Sequence, residues 1–105
     1  MTSLRLLLEY GTYPLWLLDD EGLAIDMALP EEWADDADLN QALTDLMLEY
    51  DKLFINNETE FKYIGFKTKE EKIAFKKQAQ TVAGLVVKKN QGKYPLINDF
   101  HLEDL

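Results

Sequence analysis

The sequence predicts an α+β fold in which two main helices pack on a small, mostly antiparallel sheet. Three features of its 105 residues carry that expectation. Residues 14–28 alternate as a hairpin, residues 38–55 hold an apolar stripe of helical period, and a capping box at Thr68 opens a second helix. The length fits one domain over residues 1–105, and 47% hydrophobic with 11% aromatic residues is enough to build a core.

Leu4 to Glu9 is a short apolar run that reads as a strand or a short helix; its leucines do not choose between them. Pro14 to Leu18 is the first arm of the hairpin. Asp19-Asp20-Glu21-Gly22 is its loop, with glycine available for a positive φ, and Leu23, Ile25 and Met27 alternate with Ala24, Asp26 and Ala28 in the second arm. Leu29-Pro30-Glu31-Glu32-Trp33 reads as a helical turn with Pro at its first position and Trp33 as a core plug. In the helix over 38–55, Leu39, Leu43, Leu46, Met47, Tyr50, Leu53 and Phe54 share one face, Asp38 is the expected N-cap, and Asn56-Asn57 is the expected end.

Phe61 to Phe66 is aromatic and roughly alternating, hence a strand. At Thr68-Lys69-Glu70-Glu71 the hydroxyl of Thr68 can take the Glu71 N–H while the Glu71 carboxylate returns to the Thr68 N–H. The helix that follows places Phe75, Ala79, Val82, Ala83 and Val86 on one face. Val82 to Val87 is apolar nearly all round, which predicts a buried end, with Asn90 and Gly92 as the stop. Tyr94 to Ile97 reads as a last strand before an acidic tail. Gly92-Lys93-Tyr94-Pro95-Leu96 echoes Gly11-Thr12-Tyr13-Pro14-Leu15, each a turn with Pro at a strand start.

The formal net charge of −9 is unevenly spread. Residues 1–60 hold fifteen acids against Arg5 and Lys52, whereas residues 61–105 hold five acids against nine lysines. The densest stretch, Asp19 to Asp38, has nine acids and no base. Such a field repels nucleic acid and anionic membranes and speeds encounter with a cationic protein; solubility alone is the plain alternative. No cysteine is present, which removes disulfides, thiolate zinc sites and thiol catalysis. The first nine residues lack the apolar core and cleavage site of a signal peptide, and no apolar run approaches the ~20 residues of a membrane span. A soluble cytoplasmic protein is the expectation.

Catalytic chemistry finds few residues to work with. Ser3 and His101 are the only serine and histidine and stand near opposite ends of the sequence. His101 with Glu103 and Asp104 could trap a stray metal, but reads as a solvated tail. Asp36-Ala37-Asp38-Leu39-Asn40 matches the start of an EF-hand loop, yet Gln41 replaces its glycine and Met47 its closing glutamate, so a helix start explains the segment better. Carboxylate pairs for glycoside hydrolysis exist by residue type, though so short a domain has little room for a sugar cleft. Lys69, Lys72, Lys76, Lys77, Lys88 and Lys89 scatter around the second helix and form no stripe for phosphates. A non-enzyme without cofactor or metal is therefore expected, and a recognition surface is what remains. On the first helix Leu48 points away from the apolar stripe, among Thr44, Asp45, Asp51 and Lys52, as an interface anchor would.

The segments Tyr13-Pro14-Leu15-Trp16-Leu17-Leu18-Asp19-Asp20-Glu21-Gly22, Leu29-Pro30-Glu31-Glu32-Trp33, Tyr50-Asp51-Lys52-Leu53-Phe54 and Phe61-Lys62-Tyr63-Ile64-Gly65-Phe66, in that order, resemble small bacterial immunity proteins of polymorphic-toxin and contact-dependent inhibition systems. The likeness spans about residues 10–75 and rests on turns, an aromatic strand and helix ends. It implies a cognate toxin domain as partner, expected to be basic; toxin domains that cut RNA or DNA tend to be basic, but the resemblance does not make the partner a nuclease. The partner-binding residues expected on the charge pattern are Asp19, Asp20, Glu21, Glu31, Glu32, Asp35, Asp36, Asp45, Leu48 and Asp51. A regulatory or adaptor module, homodimeric in one form, is the alternative.

Overall fold

The computed structural model describes residues 2–105. Strands β1 (Ser3–Leu7), β2 (Leu15–Leu18) and β3 (Ala24–Asp26) lead through a 3₁₀ turn at Glu31–Trp33 to helix α1 (Ala37–Asp51). A second hairpin, β4 (Phe54–Asn56) and β5 (Phe61–Tyr63), precedes helix α2 (Lys69–Asn90). Strand β6 (Leu96–Asp99) and a 3₁₀ turn at Leu102–Asp104 follow. The result is a small α+β fold, with two helices packed against a four-stranded mixed sheet of order β3-β2-β1-β6 and a separate β4-β5 ribbon. Among the described residues no helix is long and apolar enough to cross a membrane.

The ambiguous leucine run is a strand, and an internal one. β1 runs antiparallel to β2, with Leu6 opposite Leu15, and parallel to β6, with Leu4 opposite Leu96. Alternation sends Leu4 and Leu6 to one face, where they join Leu15, Leu39, Leu43, Leu46, Phe75, Val82 and Val86 in one buried cluster. Arg5 falls on the opposite face, level with Trp16 and Ile97, and its Nε donates to Asp99 at 2.6 Å. The echoed Tyr-Pro segments serve β1 from both sides. Pro14 accepts the Leu7 N–H at 3.0 Å and Pro95 accepts the Leu4 N–H at 2.8 Å, so each proline gives a carbonyl where it lacks a donor.

Several boundaries differ from the sequence reading. The N-cap of α1 is Asp36, whose carboxylate accepts the Leu39 N–H at 3.0 Å; Asp38 lies inside the first turn, where its charge favours the helix dipole. The helix stops at Asp51, and Phe54, expected to be its last apolar residue, belongs to β4. Its ring stacks on Phe61 and meets Tyr10, Tyr50 and Tyr63 edge-on or tilted, and this aromatic cluster draws the chain out of the helix. Asn57 therefore turns a hairpin, its carboxamide oxygen accepting the N–H groups of Thr59 and Glu60. Strand β5 is shorter than the expected 61–66, because Ile64 and Gly65 both donate to the Leu53 carbonyl and Gly65 has φ +72°.

The Thr68 cap forms as expected at 3.1 Å, but the Glu71 carboxylate returns to the Lys67 N–H instead of that of Thr68. The end of α2 is not buried all round: Val82, Ala83 and Val86 are inside, while Leu85 is 42% and Val87 57% exposed. A sheet of four short strands covers one side of the helix only. For the same reason the apolar side chains of the edge segment, Leu23, Ile25 and Met27, alternate as predicted yet face solvent. Trp33 is the expected core plug, and β6 starts two residues later than expected, after Tyr94 and Pro95.

Candidate functional site

The fold gathers seven of the ten expected partner-binding residues at one end. Leu18 pairs with Ser3, so the loop holding Asp19, Asp20 and Glu21 lies beside the start of β1. Pro95 also meets the start of β1, and Tyr94 packs edge-on against Trp33, which brings Glu31, Glu32, Asp35 and Asp36 to that end. Asp51 sits at the other end of α1, about 22 Å from Asp36 along the axis, where its carboxylate accepts the Gly11 N–H at 2.9 Å. Asp45 and Leu48 lie between.

The acidic end is less bare than its composition suggests. Asp19 uses one oxygen to hold its own loop, accepting the N–H groups of Glu21 and Leu23 at 2.9 and 3.0 Å. Glu32 accepts from Lys93 at 2.7 Å and from the Tyr94 hydroxyl. Asp36 caps α1 and pairs with Lys89 at 3.0 Å. The Leu39 N–H and then Lys89 hold its carboxyl below the usual range. Glu21, Glu31 and Asp35 are exposed.

Glu32 makes this end sensitive to acid. Hydrogen bonds from Lys93 and then Tyr94 lower its carboxyl from 4.5 to about 2. Because the folded value lies below the unfolded one, the stabilisation is complete above about 4.5 and is lost as pH falls towards about 2. A carboxyl-resolved NMR titration should place Glu32 near 2, and Lys93→Ala should return it towards 4.5. An ordinary value in the parent protein would mean that the pair does not form.

The larger feature is a groove between α1 and α2 that sequence reasoning missed. It runs from Asp36 to Lys52, about 24 Å, as a chain of shallow depressions that share Leu85, Asp45 and Gln78 as common walls. Ala42, Ala74 and Leu85 supply apolar floor. One wall carries Asp38 and Asp45 of α1, and the other carries Lys77 and Lys88 of α2. Towards the far end the signs mix, with Glu49 and Lys52 at the end of α1 facing Lys67 and Glu71 around the start of α2. The two helices run antiparallel, since Asp36 meets Lys89 near the end of α2 while Lys52 shares a depression with Glu71 near its start. The lysines do scatter around α2, but a subset of them faces one side of this groove. The available signal was Ala74, Gln78, Thr81, Leu85 and Lys88 recurring at helical spacing beside the buried face.

Leu48 lies in this groove, 50% exposed, in a depression of about 650 Å³ lined by Asp45, Glu49, Asp51, Lys52 and Gln78. The cation there is already engaged: Lys52 Nζ lies 2.8 Å from Glu49. Elsewhere, His101, Glu103 and Asp104 bring three possible ligand atoms within 4.8 Å of one another, all on exposed side chains at the last 3₁₀ turn. No family model matches the chain, and no curated protein matches it.

Proposed function

We propose that this chain is a non-catalytic module that docks on a cationic protein through the acidic outer face of α1, and that it serves as an immunity protein against a bacterial toxin domain. The depression around Leu48 carries this reading. It offers a half-exposed apolar side chain among three carboxylates, Asp45, Glu49 and Asp51, with its one lysine neutralised from within. A partner that sets an apolar side chain on Leu48 and lysines or arginines around it would gain both desolvation and charge pairing. The acidic end, with Glu21, Glu31 and Asp35 exposed, supplies the longer-range attraction that speeds encounter.

The test is rescue of cells that express the toxin gene adjacent to the gene for this chain. The parent protein should rescue them, and Leu48→Glu, a change at an exposed position, should bind at least ~30-fold more weakly and fail to rescue. Reversing Glu21, Glu31 and Asp35 to lysine should lower the association rate and flatten its salt dependence, with a smaller change in dissociation. Full rescue by a folded Leu48→Glu protein would remove the Leu48 face from the mechanism. Failure of the parent protein to rescue would remove the immunity function itself.

A further inference from the structure

We propose that the α1–α2 groove is also a homodimer interface, in which a second copy of the chain packs face to face about a twofold axis parallel to the two helices. The inference goes beyond the docking function and does not depend on it. Its basis is the sign of the charge on each wall at each level of the groove. Near the start of α1, Asp38 stands across from Lys88, and midway Asp45 stands across from Lys77; at the far end Glu49 and Lys52, already paired with each other, stand across from Lys67 and Glu71. Among the described residues only Asp36 and Lys89 reach ion-pair distance across the groove within the chain.

Two kinds of twofold axis can place this helical face on a copy of itself. An axis running across the helices sets α1 on the partner's α1 and α2 on the partner's α2 with the levels reversed, which pairs Asp38 with the second copy's lysine at position 52 at the ends but stacks Asp45 on Asp45 and Lys77 on Lys77 at the centre. An axis running along the helices sets α1 on α2 of the other copy and keeps every level in register with itself. Asp38 then meets the second copy's lysine at position 88 and Asp45 the one at position 77, each twice by symmetry, while the far end sets one mixed-charge stretch on another. No unrelated partner is required to carry this sequence of signs, whereas a second copy carries it automatically. Leu48, Leu85, Ala42 and Ala74 become the apolar centre of the interface, and the two alanines permit close approach.

The like charge of the two copies, −9 each, opposes association over long distances. At physiological salt a screening length of about 8 Å removes most of that repulsion and leaves contacting pairs in place. A two-helix face about 24 Å long gives a footprint at the small end of specific interfaces, so the dimer should be reversible. It covers Leu48, so dimerisation and toxin docking exclude each other and the dimer becomes a reserve that partner binding draws down.

Sedimentation equilibrium of the full chain at ~0.15 M salt, up to about 1 mM protein, tests the interface. The parent protein should dimerise. Asp45→Lys alone and Lys77→Glu alone should each weaken the dimer at least about tenfold, because each places like charges across both symmetric contacts. The double variant, and an equimolar mixture of the two single variants, should recover it, since both restore opposite signs at every contact. The absence of cysteine allows a second readout. A mixture of Leu48→Cys and Gln78→Cys proteins should cross-link to each other faster than either cross-links to itself. A chain that stays monomeric, charge reversals without effect, or preferential cross-linking of position 48 to position 48 would each overturn the proposal.

Discussion

Leu43→Ala should lower stability by about 3 kcal/mol and the melting temperature by roughly 15 °C. Leu43 has no exposed surface and belongs to the cluster that joins β1 and β2 to both helices. Truncation removes three carbons from a site whose other members, Leu4, Leu6, Leu46 and Val86, are equally inaccessible. The walls of the resulting cavity are a sheet and two helices, which cannot close in without shifting whole elements, so most of the cavity term should remain. Urea unfolding of the variant should show a lower midpoint at unchanged slope. A loss below ~1 kcal/mol would mean that the site collapses freely and that the core is looser than its burial implies.

Asn90→Ala should cost about 2 kcal/mol or more through polar groups instead of apolar ones. Asn90 is 5% exposed at the last position of α2. Its carboxamide donates to the Tyr94 carbonyl at 2.8 Å and accepts the Tyr94 N–H at 3.0 Å, bridging the turn on both sides. Gln91 and Gly92 complete that turn in the left-handed region, at φ 49° and 76°. Alanine leaves both Tyr94 backbone groups without the partner that holds them. It also frees Tyr94 from its position beside Glu32, so the Glu32 carboxyl should rise from about 2 towards 4.5. Measuring both the unfolding free energy and that titration separates the two effects. A destabilised variant with an unmoved Glu32 would show that the turn is held by Lys93 and Trp33 instead.

What the sequence revealed tracks how local each determinant is. The hairpin at 14–28, the cap at Thr68 and the stop after Asn90 are encoded within a few residues and appear where expected. The apolar stripe predicted α1, but the fate of its last residues depended on Tyr10 and Phe61, remote in sequence, which hold Phe54 in a strand. Leu4 to Leu7 could not be assigned because its identity as a strand depends on a partner at Leu96 to Asp99. Burial was misjudged at Leu85 and Val87 because an apolar run does not state how wide a sheet will be available to cover it. Among the candidate site residues, Leu48 could be placed on an exposed face by helical phase alone. Its lysine-bearing opposite wall could not, since that wall belongs to a helix whose orientation against α1 is set only by the tertiary fold.

The parallel pairing of β1 with β6 bears on how the chain is made. During synthesis β1 emerges about ninety residues before the strand that completes its second side, and the Pro95 carbonyl that receives Leu4 emerges nearly as late. Until then an inner strand of the sheet presents an open, leucine-rich edge, and hairpin, helices and ribbon can form without closing it. Closure of that long loop is the entropically slow step, and it makes the nascent chain most prone to self-association just before β6 emerges.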